Sequence, residues 1–394
     1  MIYNSFTDTG LLKVLTFLKT HNTEYLSGQD LSDVLRISRV AVWKHIKKIQ
    51  ALGYTVESKQ KKGYKLTANS ELLLPWEITS GLETKTLGQQ AYYLNSIDST
   101  QNQALKMAND SKNDGVIIIA EKQTGGRGRS GRKWISPKGG IWFSIILHPK
   151  FDIANTTLFP IASSLALAYA IEKTCKISTE LKWPNDLTIK GKKLAGMLVD
   201  ASFESNKIEN LVLGVGINFN VDVKKMEKIL KKTSNYYGIA SLNEQKNKIK
   251  AIKLVQSFLV ELEKIYGLLN TNQTKEIISE WTKRSSTMGK KVEINTINGK
   301  IKGQAVKIDD DGGLLIKNKG KIKDYCRRYN PFIKIIYYLD FGLDFGLDFG
   351  LDFGLDFGLE AAIIEDCICK ISFNSCCISK TEDNRSSIEE EYRA

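Results

Sequence analysis

Residues 121–134 read EKQTGGRGRSGRKW, four glycines and three arginines between two apolar runs, Val116 to Ala120 and Ile141 to Leu147. Both runs read as buried strands, so the segment is a strand-to-strand loop. Glycines at 126, 128 and 131 remove side chains that would keep a ligand from the backbone amides, while Arg127, Arg129 and Arg132 bring fork-shaped cationic donors. Capture of an anion carrying phosphate or carboxylate is the chemistry implied. Gly126, Gly128 and Gly131 satisfy G-x-G-x-x-G, yet a dinucleotide-binding loop of that pattern opens a helix, and here Trp134, a turn through Gly140 and a strand follow. A G-x-x-x-x-G-K-[ST] phosphate loop fails as well, because Arg132 and Lys133 follow Gly131 and no hydroxyl is in place for magnesium. Asp340-Phe341-Gly342 imitates the metal-binding triplet of protein kinases, but it belongs to a tandem LDFG repeat and no H-R-D catalytic loop accompanies it.

A second stretch, LKWPNDLTIKGKKLAGMLVD from Leu181, combines a turn at Trp183-Pro184-Asn185-Asp186 with a hairpin at Lys190-Gly191-Lys192. That layout lets Lys182 and Lys193 both point into one cleft. Lysine suits a negative charge developing on an acyl or phosphoryl oxygen, and Asp186 suits a cation or an incoming amine. An ordinary hairpin with exposed lysines is the alternative. Ser99, Thr100, Gln101 and Asn102 offer donors and acceptors at a strand-to-helix junction, as a small polar ring would need. Ser99 or Thr100 acting as a helix cap explains the same residues without a ligand. Leu211 to Asn220, LVLGVGINFN, reads as a buried strand with glycines for close approach and Asn218 as a hydrogen-bonding group.

The elements that must position these groups follow from periodicity. Leu11, Leu15 and Leu18 repeat at helical spacing, Leu26 to Ile37 reads as a helix capped near Ser27, and Val42, Ile46 and Ile49 line a third helix after Ser38. Ser38, Arg39, Trp43, Lys44 and Lys47 then fall on or beside an outer, basic face, the helix-turn-helix arrangement in which one helix enters a major groove. YTVESKQKKGYKL, from Tyr54 to Leu66, reads as a wing whose Lys59, Lys61 and Lys62 meet phosphates. A linker around Leu74-Pro75-Trp76 leads to the central region, where Phe159 to Lys176 reads as a long helix packed on a sheet. Val292 to Ile316 supplies short strands and an Asp-Asp-Gly-Gly turn.

At 394 residues with 42% hydrophobic content, the chain holds two or three packed domains, and a formal charge of +13 favours polyanionic partners. No apolar run reaches the ~20 residues that cross a bilayer, and no secretion-type layout opens the chain, so a cytoplasmic protein without membrane partners is expected. Only Cys175 of the six cysteines precedes residue 326, which leaves the main body without a disulfide framework. With histidine only at 21, 45 and 148, no histidine-rich metal site is expected, and the C-x-C and C-C spacing of Cys367, Cys369, Cys376 and Cys377 is unlike a zinc site.

GRGRSGRKW at 126–134, KWPNDL at 182–187, KLAG at 193–196 and GVGINFN at 214–220, in that order, resemble the biotin protein ligases, in the bifunctional form that is also the biotin operon repressor. The resemblance spans roughly Leu11 to Lys323 and implies an α+β fold in three parts. Residues 1–66 form a winged helix, 75–284 a central mixed sheet flanked by helices, and 288–323 a small SH3-like barrel left incomplete where the 324–394 tail of five LDFG units replaces its closing strand. The implied reaction joins biotin to ATP as biotinyl-5′-adenylate and passes the acyl group to a lysine of the biotin carboxyl carrier protein, with magnesium on the ATP phosphates. By the same resemblance Ser99, Thr100, Gln101 and Gln123 bind the ring region, while Arg127, Gly128 and Arg129 close over carboxylate and phosphate, and Lys193 meets both. Arg129, Arg132, Trp134, Lys182, Asn185 and Asn218 are implied nucleotide contacts, and Asp186 is assigned to the incoming amine. Arg129, Lys193 and Asp186 are thus the expected catalytic set. An adenylate-bound homodimer on operator DNA is implied too. A lipoate ligase-like acyltransferase and a ligase-dead biotin-sensing repressor are the alternatives.

Overall fold

The computed structural model describes residues 2–4, 9–204, 207–231, 237–245, 249–296, 299–318, 321–324 and 335–336. After strand β1 (Ile2–Asn4) come helices α1 (Thr9–Thr20), α2 (Gly28–Leu35) and α3 (Arg39–Ala51). Ser27 caps α2 through a reciprocal box in which its Oγ accepts from Asp30 N at 3.0 Å and its own N–H donates to the Asp30 carboxylate at 3.2 Å. Ser38 caps α3 by accepting from Ala41 N at 3.1 Å. Leu11, Leu15, Leu18, Leu31, Val42, Ile46 and Ile49 are buried together, the stripe expected of amphipathic helices. Strands β2 (Thr55–Lys59) and β3 (Gly63–Ala68) pair as the wing, with Lys61 in the left-handed region at its turn.

The segment after the wing is not an extended linker. Leu74 starts a short helix, α4 (Pro75–Thr79), and both Leu74 and Ile78 are buried. The Glu77 carboxylate accepts from Lys19 Nζ of α1 and from the Tyr54 hydroxyl, which in turn accepts from Trp76 Nε1 at 2.7 Å. Burial and the neighbouring Glu77 carboxylate push the Tyr54 hydroxyl pKa upward, so the phenol stays a donor.

The central sheet uses β4 (Ala91–Leu94), β5 (Ile117–Ala120), β6 (Ile141–Leu147), β7 (Glu180–Lys182), β8 (Asp186–Ile189), β9 (Lys192–Glu204) and β10 (Lys207–Ile217). Its order is β1-β4-β5-β6-β10-β9-β8-β7, mixed because β4 and β5 run parallel while the other neighbours are antiparallel. Strand β1 at the edge is absent from the sequence reading, which counted the N-terminus with the winged helix. Helices α5 (Thr100–Met107), α6 (Ile153–Thr156), α7 (Phe159–Cys175), α8 (Val223–Leu230), α9 (Leu242–Gln245), α10 (Ala251–Asn270) and α11 (Thr274–Lys283) surround it. Ala162, Ala166 and Ala170 recur every four residues on α7 and are all buried, and α10 packs against this helix. Phe258 of α10 meets Phe143 of β6 edge-on at 5.7 Å, fixing the core on that face. The other face carries the site.

Strands β11 (Lys291–Thr296), β12 (Gly299–Ile308), β13 (Leu314–Asn318) and β14 (Lys321–Asp324) form an open antiparallel sheet in that order, with no closed barrel among the described residues. Trp183 Nε1 donates to Gly312 O at 3.1 Å, tying this sheet's turn to the KWPND segment. Of the 324–394 tail, only the β14 end at Asp324 and Ile335–Ile336, which pairs with Ala201 and Ser202 of β9, fall within the described residues. The LDFG units and the tail cysteines lie outside them.

Candidate active site

Trp142 and Ser144 of β6 stand opposite Gly216 and Gly214 of β10, and these pair with Gly196 and Leu198 of β9. A Cβ at Gly214 would come within 2.5 Å of Gln101 Oε1, one at Gly216 within 2.6 Å of Trp134 Nε1, and one at Gly196 within 3.1 Å of the Trp134 ring. These glycines therefore form a bare floor on which Gln101 and the Trp134 indole rest. Helix α5 covers one end of this face through Ala104, with Ala108 just past its last residue, and α8 covers the other through Met226.

The glycine-arginine loop folds back on itself as a hairpin. Gly128 N donates to Arg132 O at 2.7 Å and Trp134 N to Gly126 O at 2.8 Å, with Ser130 and Gly131 both at positive φ at the tip. A Cβ at Gly126 would sit 2.3 Å from Trp134 O, so this glycine serves the loop's own packing and not the approach of a ligand. Gly131 meets nothing within 4 Å and is needed for its backbone angle.

Two clusters hang from this frame. In the first, Gln123 Oε1 accepts from Thr100 N at 2.8 Å and from Thr100 Oγ1 at 3.1 Å, while Gln123 Nε2 donates to Ser136 Oγ at 2.8 Å. Ser144 joins Thr100 Oγ1 at 2.9 Å and donates to Gln101 Oε1 at 2.9 Å. Arg127 reaches Asn102 Oδ1 at 3.2 Å and Asp200 Oδ2 at 3.1 Å. Ser99 occupies the N-cap position of α5 without making a capping bond, and its buried Oγ has no partner. The helix-cap explanation thus does not account for Ser99.

In the second cluster, Lys193 Nζ pairs with Asp186 Oδ1 at 2.7 Å and stands 4.9 Å above the Trp134 ring. Arg129 NH1 donates to Asn185 Oδ1 at 2.9 Å, and Asn185 Nδ2 donates to Met197 O. Asn218 Nδ2 donates to Lys193 O at 3.2 Å, leaving its buried Oδ1 unpaired, as is Trp134 Nε1. Lys182 Nζ lies 3.2 Å from the centroid of the Tyr237 ring, and the Tyr237 hydroxyl donates to Asp186 Oδ2 at 2.7 Å. Burial lowers the Lys182 ammonium pKa, opposed by Asp186 and reinforced by Lys193; burial also raises that of Tyr237, with Asp186 adding to it. Arg132 is exposed at the loop tip, its Nε donating to Arg129 O at 3.1 Å. Every other site residue expected from the sequence in the central region lies in one of these clusters or, for Gly128, in the loop between them.

Sequence reasoning missed Tyr237, Asp200, Ser136 and Ser144. Asp200 did leave a signal, a lone acid in the otherwise apolar LAGMLVDASF strand; Tyr237 left none. Among the described residues no group of three or more His, Cys, Asp or Glu is placed to hold a metal ion, and no helix is long and apolar enough to cross a membrane.

On the winged helix, Arg39, Lys44 and Lys47 are exposed along α3, and Val40 and Trp43 are 63% and 51% exposed. Single apolar side chains standing out of a basic helix suit contact with base edges and thymine methyls. Ser38 differs, since its hydroxyl already accepts the Ala41 N–H.

Residues 93–218 match the Biotin/lipoate A/B protein ligase family and residues 11–65 an HTH domain. The bifunctional ligase/repressor BirA of Bacillus spizizenii is 36% identical over 302 residues, 76% of this chain and 92% of that protein. Its counterpart in Escherichia coli is 30% identical over 315 residues, 80% of this chain and 94% of that protein. A solved biotin protein ligase from Aquifex aeolicus, in complex with biotin and ATP, superposes with a TM-score of 0.52 at 30% identity over 61% of this chain and 96% of that one. The chain belongs to the biotin protein ligase family, in its bifunctional ligase/repressor form.

Proposed function

We infer that this chain activates biotin with ATP, transfers it to a lysine of the biotin carboxyl carrier protein, and represses biotin-synthesis genes through its winged helix. The observation that carries the enzymatic part is the set of buried, unpartnered polar atoms around the glycine floor, Ser99 Oγ, Trp134 Nε1 and Asn218 Oδ1. Buried groups of this kind are normally satisfied, and here a ligand's donors and acceptors would satisfy them.

The ring cluster of Ser99, Thr100, Gln101 and Gln123 takes the ureido ring, whose N–H groups and carbonyl match hydroxyl and amide partners. The acid group then points toward Lys193 and Arg129. A biotin carboxylate oxygen attacks the α-phosphorus of ATP, the bond to the bridging oxygen breaks, and pyrophosphate leaves. In the second step the carrier lysine amine attacks the acyl carbon, AMP departs, and the amine loses a proton; Asp186 is assigned to orient that amine. Lys193 faces the carboxylate and phosphate oxygens where negative charge grows in both steps. Trp134 offers its ring to adenine, with Lys182, Asn185, Asn218 and Arg132 as further nucleotide contacts. Magnesium enters with the triphosphate as part of the substrate. Adenylate-bound chains pair as a homodimer on a palindromic operator, one winged helix per half-site.

The test is pyrophosphate release by the full chain supplied with biotin or with lipoate, followed by label transfer to a carrier domain. Release with biotin alone and transfer to the carrier are expected. Release with lipoate and not biotin would move the chain to the lipoate ligases, and binding of biotin without either step would mark a ligase-dead sensor. A version cut after Lys323 shows whether the tail alters either step.

A further inference from the structure

Asp200 is assigned no role by the reaction as described, although its carboxylate is 2% exposed and lies on the site face of the sheet, opposite Val212 of β10. It accepts from Gln101 Nε2 at 3.2 Å and from Arg127 NH1 at 3.1 Å. Gln101 Nε2 donates also to Val212 O at 3.0 Å, and Gln101 Oε1 accepts from Ser144 Oγ. A hydrogen-bond chain thus runs from Asp200 through Gln101, Ser144, Thr100 and Gln123 to Ser136, which itself donates to Trp134 O at 3.1 Å.

The Asp200 carboxylate and the Val212 carbonyl only accept, and together they fix the sense of the Gln101 end of the chain. Facing Asp200, the Gln101 amide must present its NH2, so its oxygen turns to Ser144. Ser144 spends its single proton on that oxygen. Thr100 must then direct its own proton to Ser144 or to Gln123, and its remaining lone pairs are left for an outside donor. With both acceptors in place Gln101 cannot flip, so Ser144 cannot turn its proton to Thr100 and the lone pair offered to a ligand N–H stays open. The Gly214 position supports the same reading: a Cβ there would sit 2.5 Å from Gln101 Oε1, so the strand has been left bare for this amide in this pose.

We propose that Asp200 is a positioning residue for biotin: with the Val212 carbonyl it holds the Gln101 amide, and so the donor direction of the ring-binding cluster, with Arg127 as its counterion. The proposal rests on the biotin-binding reading above. Asp200→Asn keeps shape, but whichever way it turns its NH2 faces a donor, the Arg127 guanidinium on one side or the Gln101 NH2 on the other. The full-length chain is titrated with biotin by calorimetry without ATP, and kcat and KM are measured with saturating carrier.

Asp200→Asn is expected to weaken biotin binding about ten- to a hundredfold, the loss of one mismatched buried polar pair, with kcat at saturating biotin and KM for ATP close to those of the parent. In a Gln101→Ala background the same substitution is expected to have no further effect on biotin binding, because the group it acts through is gone. Asp200→Glu, still acceptor-only, is expected to recover part of the affinity. Unchanged biotin affinity in Asp200→Asn, a fall in kcat and ATP affinity alongside it, or a full effect surviving in the Gln101→Ala background each overturns the inference. Should the parent chain itself fail to bind biotin, the functional reading falls first.

Discussion

Lys193 is held by Asp186 on one side and by the Trp134 face on the other, so its ammonium is oriented before any substrate arrives. A cation that needs no rearrangement at the moment of reaction is worth most where charge develops. Lys193→Ala is expected to slow pyrophosphate release about 10²–10³-fold in kcat, as read by a coupled phosphate assay, and to weaken biotin binding by a smaller factor, as read by calorimetry. Asp186 keeps its Tyr237 partner in that variant, so the turn stays in place. Gly216→Ala tests the floor. The added methyl would crowd Trp134 Nε1 at 2.6 Å and push the indole off β10. A stability loss of about 1–3 kcal/mol in urea denaturation is expected. KM for ATP should rise more than KM for biotin.

At the level of elements, α11 shows how a remote helix steadies the site. Lys283, Arg284 and the Tyr169 hydroxyl all bond the Glu280 carboxylate and draw its pKa down to about 2, Lys283 contributing most. Just beyond, Ser286 N donates to Leu181 O at 2.8 Å and the Thr287 hydroxyl accepts from Trp183 N at 2.9 Å, so α11 leads directly into the KWPND segment. A carboxylate held below its ordinary value stabilises the fold fully above about pH 4.5. That contribution is lost as pH falls through this range toward 2, because the unfolded chain then binds the proton more readily. Glu280→Gln is expected to flatten this part of the stability-versus-pH curve measured by urea midpoints. The helices and strands themselves were legible, because Leu11, Leu15 and Leu18 or the continuous run from Ile141 to Leu147 carry their period in the text. The cation cluster drew notice through the density of Gly, Arg and Lys near Trp134 and Trp183, and the ring cluster through the donors and acceptors of Ser99 to Asn102 at a strand-to-helix junction. Tyr237 and strand β1 were not, since a tyrosine outside any pattern and a three-residue strand gain their meaning only from partners distant in sequence. The same holds for Leu74-Pro75-Trp76, whose proline reads as punctuation but sits in the first turn of α4, where its missing N–H costs nothing.

For the molecule as a whole, charge and bracing decide behaviour. Lys59, Lys61 and Lys62 are exposed at the wing. Lys61→Ala is expected to weaken DNA binding equally on operator and non-operator duplexes and to reduce the slope of log K against log salt by about one, measured by fluorescence anisotropy across a salt series. The wing's parent module is not loosely hung. Gln256 of α10 donates through Nε2 to the carbonyls of Ile78 and Ser80, each at 2.9 Å, and Glu77 of the same α4 holds Lys19 and Tyr54. One short helix is thus gripped from both directions.

Asn185 and Asp186 are neighbours, and between them they hold Arg129, Lys193 and Tyr237. The glycine-arginine loop, strand β9 and Tyr237 take their bearings from two adjacent residues of a single turn. Tilting that turn retunes all three at once, so an engineer wishing to admit a different acid cannot adjust the acyl end and the phosphate end independently here, and must reshape the ring pocket at the far side instead.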